Sequence, residues 1–408
     1  MSLDTILPLA MVVSLLLLLF SGYPVALVLI GVTMLFMGIA LSLGYMDVVM
    51  LRIFPMRTFG VFADNLLLPA VAPLLFMGIA MQKSGIAKDM FHSVSTLLRW
   101  VPGNTYLAVL FMGVILAPTA GLIGAAVAML SLATIPVMLS LNKDKRLATA
   151  SVSVAGTVGT IIPPGIMLFF LADLMSTSIL GAFGGIIYPV ALLLTLYVVY
   201  FVTRGYFEKS RDGAGHDSAV LNEDIRIGQA LAKLILPLAL IIIVLGSIIS
   251  GTATPTHAAS VGAAGALLLM AVNRSMTRTR LRQVLLETGL TTAMVFFVII
   301  AANAFSLVFR VLGGDALFPD FLNWLQFGDW GTLIFILLTI FILGFFIDWI
   351  EIVVITLPIF APVIAGLDFG DHVGDPLMTR IWIMTCIAVV LQTSFLTPLL
   401  TPPIFLRS

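Results

Sequence analysis

Charge is what this 408-residue chain has least of: Asp, Glu, Lys and Arg together make up 10% of it, against about 25% in an ordinary globular domain. Its 20 basic and 20 acidic residues cancel to a net charge of zero, a balance that suggests neither a nucleic-acid surface nor a polybasic lipid anchor. Cysteine occurs once, as Cys386 within an apolar segment, so no intrachain disulfide framework or zinc site can be built and a buried structural thiol is expected. The four histidines, His92, His216, His257 and His372, are scattered. Neither paired-histidine spacing nor a phosphate-binding loop is present, and no enzyme or organic cofactor is expected.

In place of charge the chain has apolar length. Hydrophobic residues make up 61% and mean hydropathy is +1.17. The runs 11–20, 25–43, 234–249 and 258–272 are free of charge, and each with its neighbours can cover the roughly 30 Å of a bilayer's hydrocarbon. The first run lacks a basic flank and passes through Gly22 and Pro24 straight into another span, which predicts a retained helix rather than a cleaved signal. The fold class is an all-α membrane protein.

Spans are predicted over 5–21, 24–43, 66–82 and 180–203, then over 230–250, 254–272 and 285–311. Two stretches, 106–141 and 331–366, carry small or polar residues at their middles and are predicted as re-entrant helical hairpins, with two full spans each as the alternative. Two more, 147–172 and 381–405, are interrupted by GTVGTIIPP and TSFLTPLLTPP and predict broken helices. The mixed charged and aromatic segments 82–102 and 313–329 suit arms lying along the membrane surface.

The most polar stretch, 204–226, falls near the midpoint and is predicted as a cytoplasmic linker, taken as 204–229, between repeats 1–203 and 230–408. Landmarks recur at a near-constant separation: Pro24 with Pro255, the hairpin around Thr119 with that around Asp348, Pro163 with Pro398. Loop 142–146 carries Lys143, Lys145 and Arg146 against one acid, whereas its counterpart, 368–380, carries Asp368, Asp371 and Asp375 against one base. Basic loops stay cytoplasmic, so the repeats are expected to be inverted, a common plan of secondary transporters. By this symmetry the second repeat lacks the counterpart of 180–203, and a last helix is expected to be missing.

Where a helix breaks inside lipid, protein or a water-filled cavity must cover the freed backbone. Helix ends at such breaks attract anions, while hydroxyls and unwound carbonyls suit sodium. Sodium candidates are therefore Thr119, Gly121, Gly156, Thr157, Gly159 and Thr160 in the first half, with Asp348, Gln392, Thr393, Ser394 and Thr397 in the second. Substrate candidates are Pro163, Pro164 and Pro398 at the breaks, with Asn303 and Arg310. The competing reading of Ser, Thr and Gly is close packing between membrane helices. For Asp348 it is capping of a half-helix; for Arg310 it is a side chain snorkelling to the interface. Glu351, three residues from Asp348, reads as structural or as part of an interface. Asn303, Ser306 and Arg310 share one helical face, and Asp173 has no evident partner.

The segments SVAGTVGTIIPPGIML, GTATPTHAASVGAAGALLL, LLETGLTTAMVFFVIIAANAFS and FFIDWIEIVVITLPIFAPVI resemble, in that order, the large permease subunit of TRAP transporters, the tripartite ATP-independent periplasmic family. The resemblance runs from about residue 10 to 397 and implies an elevator-type transporter of the bacterial inner membrane. A mobile part with two hairpins and two broken helices would carry sodium and a small organic anion. A separate small membrane subunit and a periplasmic substrate-binding protein would be its partners. The implied sodium sites fall on Thr119–Gly121, Gly156–Thr160, Asp348 and Gln392–Thr397. Two departures stand out: the first tip, APTAGLIGA, has a single hydroxyl, and after Thr397-Pro398 come Leu399 and Leu400 instead of a second proline.

The expected activity is sodium-driven symport of a small carboxylate, with the substrate between the hairpin tips. The rivals are a stand-alone divalent-anion symporter of the same superfamily and a non-transporting membrane scaffold or enzyme.

Overall fold

The computed structural model describes residues 3–63, 65, 67–119, 121–212 and 227–396, and their regular structure is helical. In chain order the α-helices are α1 (Leu3–Leu19), α2 (Val25–Ser42), α3 (Ile53–Ala63), α4 (Val71–Lys83), α5 (Ile86–Leu97), α6 (Asn104–Leu116), α7 (Ile123–Ser140) and α8 (Lys145–Thr160). They continue with α9 (Ile166–Leu174), α10 (Ile179–Asp212), α11 (Ile227–Ile249), α12 (Pro255–Val272), α13 (Arg278–Val311), α14 (Gly314–Leu325), α15 (Gly328–Leu343), α16 (Trp349–Ala365) and α17 (Pro376–Ser394). Among the described residues α2, α7, α10, α12, α13 and α17 are long and apolar enough to cross a membrane. The protein is an all-α, multi-pass membrane protein.

Local chemistry sets where several of these helices begin. The Asp144 carboxylate accepts from the Arg146 N–H to start α8, and the Asp375 carboxylate accepts from the Leu377 and Met378 N–H groups to start α17. Thr254 accepts from the His257 N–H ahead of α12. Pro255 and Pro376 occupy first-turn positions whose N–H would have had no partner. The helices before and after the midpoint, α10 and α13, have 34 residues each, about 50 Å, and so outrun the hydrocarbon. This revises two expectations. The first nine residues of the predicted linker continue α10 to Asp212, and α13 takes in the basic residues from Arg278 onward; residues 213–226 lie outside those described. The 381–405 segment is helical from Pro376 to Ser394, and 397–405 likewise lies outside.

The chain divides into two compact units, 1–68 with 170–178 and 292–408, and 69–169 with 179–291. Neither follows the expected halves, since a repeat records descent and a unit records contact. In the unit built around 69–169, α4 packs on α12, α5 on α11, and α6 and α7 both on α8. Its glycines let backbones touch: a side chain at Gly103 would run into the Phe201 carbonyl, and one at Gly205 into the Gly103 backbone. Glu208 of α10 accepts from the Tyr106 hydroxyl at 3.0 and 3.1 Å, fastening α10 to the start of α6. In the other unit α1 packs on α2 and α14, α14 on α16, and α15 on α16 and α17. Aromatic rings fill it, with Trp330 edge-on to Phe369 and Trp382 at centroid distances of 5.0 and 5.7 Å.

Candidate functional site

Each unit holds a helix that stops inside apolar surroundings with a tight turn packed against its end. In the unit with α8, that helix runs regularly through Gly156, Thr157, Gly159 and Thr160 and unwinds only at 161–165. The sodium candidates thus lie in the last turn of the helix, where the sequence placed them in unwound chain. Gly156 and Gly159 serve close approach: a methyl at Gly156 would meet Val127 of α7, and one at Gly159 would meet Ala117 and the Gly113 carbonyl of α6. The Thr157 hydroxyl donates to the Ser153 carbonyl at 2.9 Å and that of Thr160 to the Thr157 carbonyl at 2.7 Å, so their protons point along the helix. In the turn, the Thr160 and Ile162 carbonyls crowd Gly165 so closely that only glycine fits. The single turn of 3-10 helix at 117–119, which ends at Thr119, packs on α8. Gly121 follows with φ +74°, a left-handed value suited to glycine, and sits against Ile166, the first residue after the break. Gly121 and the 161–165 turn flanked by Thr160 are therefore brought together; Pro163 and Pro164 form part of that turn.

In the unit with α17, the corresponding parts are the turn between α15 and α16 and the last residues of α17. Gly344 abuts Ser394, whose side chain a methyl at Gly344 would strike. The hydroxyls of Thr393 and Ser394 donate to the Val390 and Leu391 carbonyls at 2.9 and 2.8 Å, and Gln392 is buried. Thr397 and Pro398 fall outside the described residues. Asp348 caps α16, its carboxylate accepting from the Trp349 N–H at 2.9 Å while Glu351 Oε2 accepts from the Asp348 N–H at 3.3 Å. This reciprocal box satisfies N–H groups that would otherwise be stranded at a helix start.

The same unit contains a cavity of about 580 Å³, within the size range of small-molecule sites. Its polar lining is Arg57, Asn65, Asp173, Asn303, Ser306 and Arg310, set among apolar side chains such as Phe170, Ile299 and Val354. The expected face of α13 thus comes together in one place: Asn303, Ser306 and Arg310 all open onto it. Asn303 donates back to the Ile299 carbonyl at 3.0 Å. Arg310 is exposed, with its Nε 3.6 Å from Asp315 Oδ1, a long contact that holds it weakly. Asp173, for which the sequence offered no partner, has one in Asn65, whose Nδ2 donates to Asp173 Oδ1 at 2.7 Å. Pro163 and Pro164 are not among the residues lining this cavity.

The described residues thus hold a polar cavity and one helix interrupted within apolar surroundings, between α8 and α9. The family model of the Tripartite ATP-independent periplasmic transporter, DctM component, matches residues 12–408. The chain belongs to that family. It is a large permease subunit and not an enzyme, a multi-pass protein of the inner membrane. Large permeases of this family work with a small permease and a periplasmic binding protein. The C4-dicarboxylate TRAP transporter large permease protein DctM of Pseudomonas aeruginosa is 26% identical over 356 residues, 85% of this chain and 77% of that protein. The ectoine permease TeaC of Halomonas elongata is 26% identical over 259 residues, 62% of this chain and 57% of its own length. The ectoine/5-hydroxyectoine permease UehC of Ruegeria pomeroyi is 29% identical over 236 residues, 57% and 54% respectively. The match therefore spans little more than half of each ectoine permease.

Sequence reasoning passed over Arg57 and Asn65. No element was expected between 43 and 66, where the structure places a 3-10 turn (Val48–Arg52) and α3. The signal was there in Arg52 and Arg57 within an otherwise apolar stretch, since charge at membrane depth is a functional pointer by default.

Proposed function

We propose that this permease takes up a small organic anion of the carboxylate class by sodium-driven symport, with an elevator movement of one part of two inverted repeats. The observation that carries the anion reading is the cavity: two guanidinium groups, Arg57 and Arg310, and two amides, Asn65 and Asn303, around a space of about 580 Å³. Guanidinium is the side chain best suited to reading carboxylate oxygens, because its planar fork matches them two at a time. Apolar walls beside it lower the local dielectric and strengthen that attraction. Sodium would bind where hairpin turns meet helix ends, near Gly121, Thr157 and Thr160 in one unit and Asp348, Gln392, Thr393 and Ser394 in the other. Hydroxyls that donate to carbonyls keep oxygen lone pairs for a hard cation.

Sodium and anion would bind with positive coupling, each stabilising the state that the other prefers. Proteoliposomes holding this permease, its small subunit and the periplasmic protein should accumulate labelled substrate only under an inward sodium gradient. Full uptake with sodium absent would overturn the coupling. Arg57→Gln and Arg310→Gln should each lower substrate affinity and leave the apparent sodium affinity near wild type when substrate saturates.

A further inference from the structure

A cavity for an anion alone has no use for Asp173. The residue occupies the last turn of α9, where the helix dipole already presents negative charge and a carboxylate is unfavourable. It is half-buried, where an acceptor without a partner is costly. The helix itself therefore gains nothing from an acid here, and such a violation is expected where function requires it.

The side chain is also held with purpose. Asn65 Oδ1 accepts from the Leu67 and Leu68 N–H groups, both at 2.8 Å, so its amide cannot flip without losing both bonds. Its Nδ2 is thereby committed to face Asp173 Oδ1 at 2.7 Å. One carboxylate oxygen is fixed and the other has no protein partner among the described residues. Phe170, one turn earlier on α9, packs edge-on against Trp349 with centroids 5.7 Å apart, which sets the position of that helix end. Although both arginines line the same cavity, neither forms an ion pair with Asp173 among the described residues. Opposite charges kept apart around one space fit a ligand with two unlike ends.

We infer that Asp173, positioned by Asn65, determines specificity: it selects anions that carry a hydrogen-bond donor, hydroxyl or ammonium, at the end remote from the carboxylate taken by Arg57 and Arg310. This rests on the reading of the cavity as the substrate site. A donor at that end satisfies the open carboxylate oxygen; an apolar end leaves it desolvated and unpaired.

The test uses the full chain in lipid nanodiscs and three probes of equal length, butyrate, 4-hydroxybutyrate and 4-aminobutyrate, with affinity measured by titration calorimetry. Wild type should bind the two donor-bearing probes about tenfold more tightly than butyrate. Asp173→Ala should bring the three together with butyrate affinity retained. Asp173→Asn keeps an oxygen for Asn65 and should lose most of the preference for the ammonium while keeping part of that for the hydroxyl. Melting temperatures of both variants report whether they fold, and either one alone is sufficient for the comparison. Equal wild-type affinity for all three probes, no binding of any of them, or a preference that survives Asp173→Ala would overturn the inference. Arg57→Gln with Arg310→Gln separates the two claims: unchanged butyrate binding in that double variant sinks the site itself, whereas lost butyrate binding beside an intact preference in Asp173→Ala sinks only the selector.

Discussion

The two units each end a helix in an apolar interior, and they do so by different means. Around α8 the solution is backbone proximity: Gly113, Gly156 and Gly159 let α6, α7 and α8 approach until main chain touches main chain, and the tip carries no charge. Around α16 and α17 the solution is polar: Asp348 and Glu351 cap a helix start, and a single close approach, Gly344 to Ser394, joins turn to helix end. Small-residue packing needs no desolvated charge but tolerates no added atom. A capping box tolerates change of size but needs its carboxylates. The difference teaches that one helix end is held sterically and the other electrostatically, and substitutions at these two places should divide accordingly.

The largest effect should come from Gly113→Val. Its side chain would overlap the Ala155 carbonyl and Cβ, backbone that cannot swing aside, so a loss of about 3 kcal/mol or more is expected. Thermal unfolding in detergent checks it, and a variant that melts with wild type would break the steric half of the comparison. Next comes Gly344→Ala, expected to cost about 1–3 kcal/mol. Because the atoms in its way belong to the Ser394 side chain, Ser394→Gly in the same chain should restore part of the loss. A double-mutant cycle reads that coupling.

Asp348→Ala should cost about 1 kcal/mol through the lost cap, while Asp348→Asn, which can still accept from the Trp349 N–H, should cost only a few tenths. Measuring sodium dependence on the same pair sharpens the comparison. A cap alone leaves the sodium requirement of both variants unchanged; a ligand raises it in both. Smallest of all should be Lys83→Met. Its ion pair with Glu287 at 2.7 Å joins partly exposed side chains, so a change below about 0.5 kcal/mol in melting free energy is expected.

Much of the helical layout was legible because its causes are local. Pro163 and Pro164 mark the turn that ends α8, and Asp348 with Glu351 three residues on is a capping pattern visible in the letters, whereas α17 starts at Asp375-Pro376, ahead of the expected bound at 381. Glycine was harder to read. Gly156 and Gly159 were expected to loosen the helix, but they sit inside it and serve its neighbours, because a small residue permits both bending and contact and only the partner decides which. Arg57 and Asn65 fall between the predicted spans 24–43 and 66–82, where no element was expected.

Sequence alone determined the lipid setting, most of the helices, the interruption after α8 and the shared face of Asn303, Ser306 and Arg310, since hydropathy and helical geometry act over a few residues. Only the tertiary structure decided that this face meets Arg57, Asn65 and Asp173 around one cavity. Asn65 and Asp173 are 108 positions apart, and nothing in a helical repeat of three to four residues carries information over that distance. Their meeting is a result of tertiary packing, which brings the chain after α3 to the end of α9.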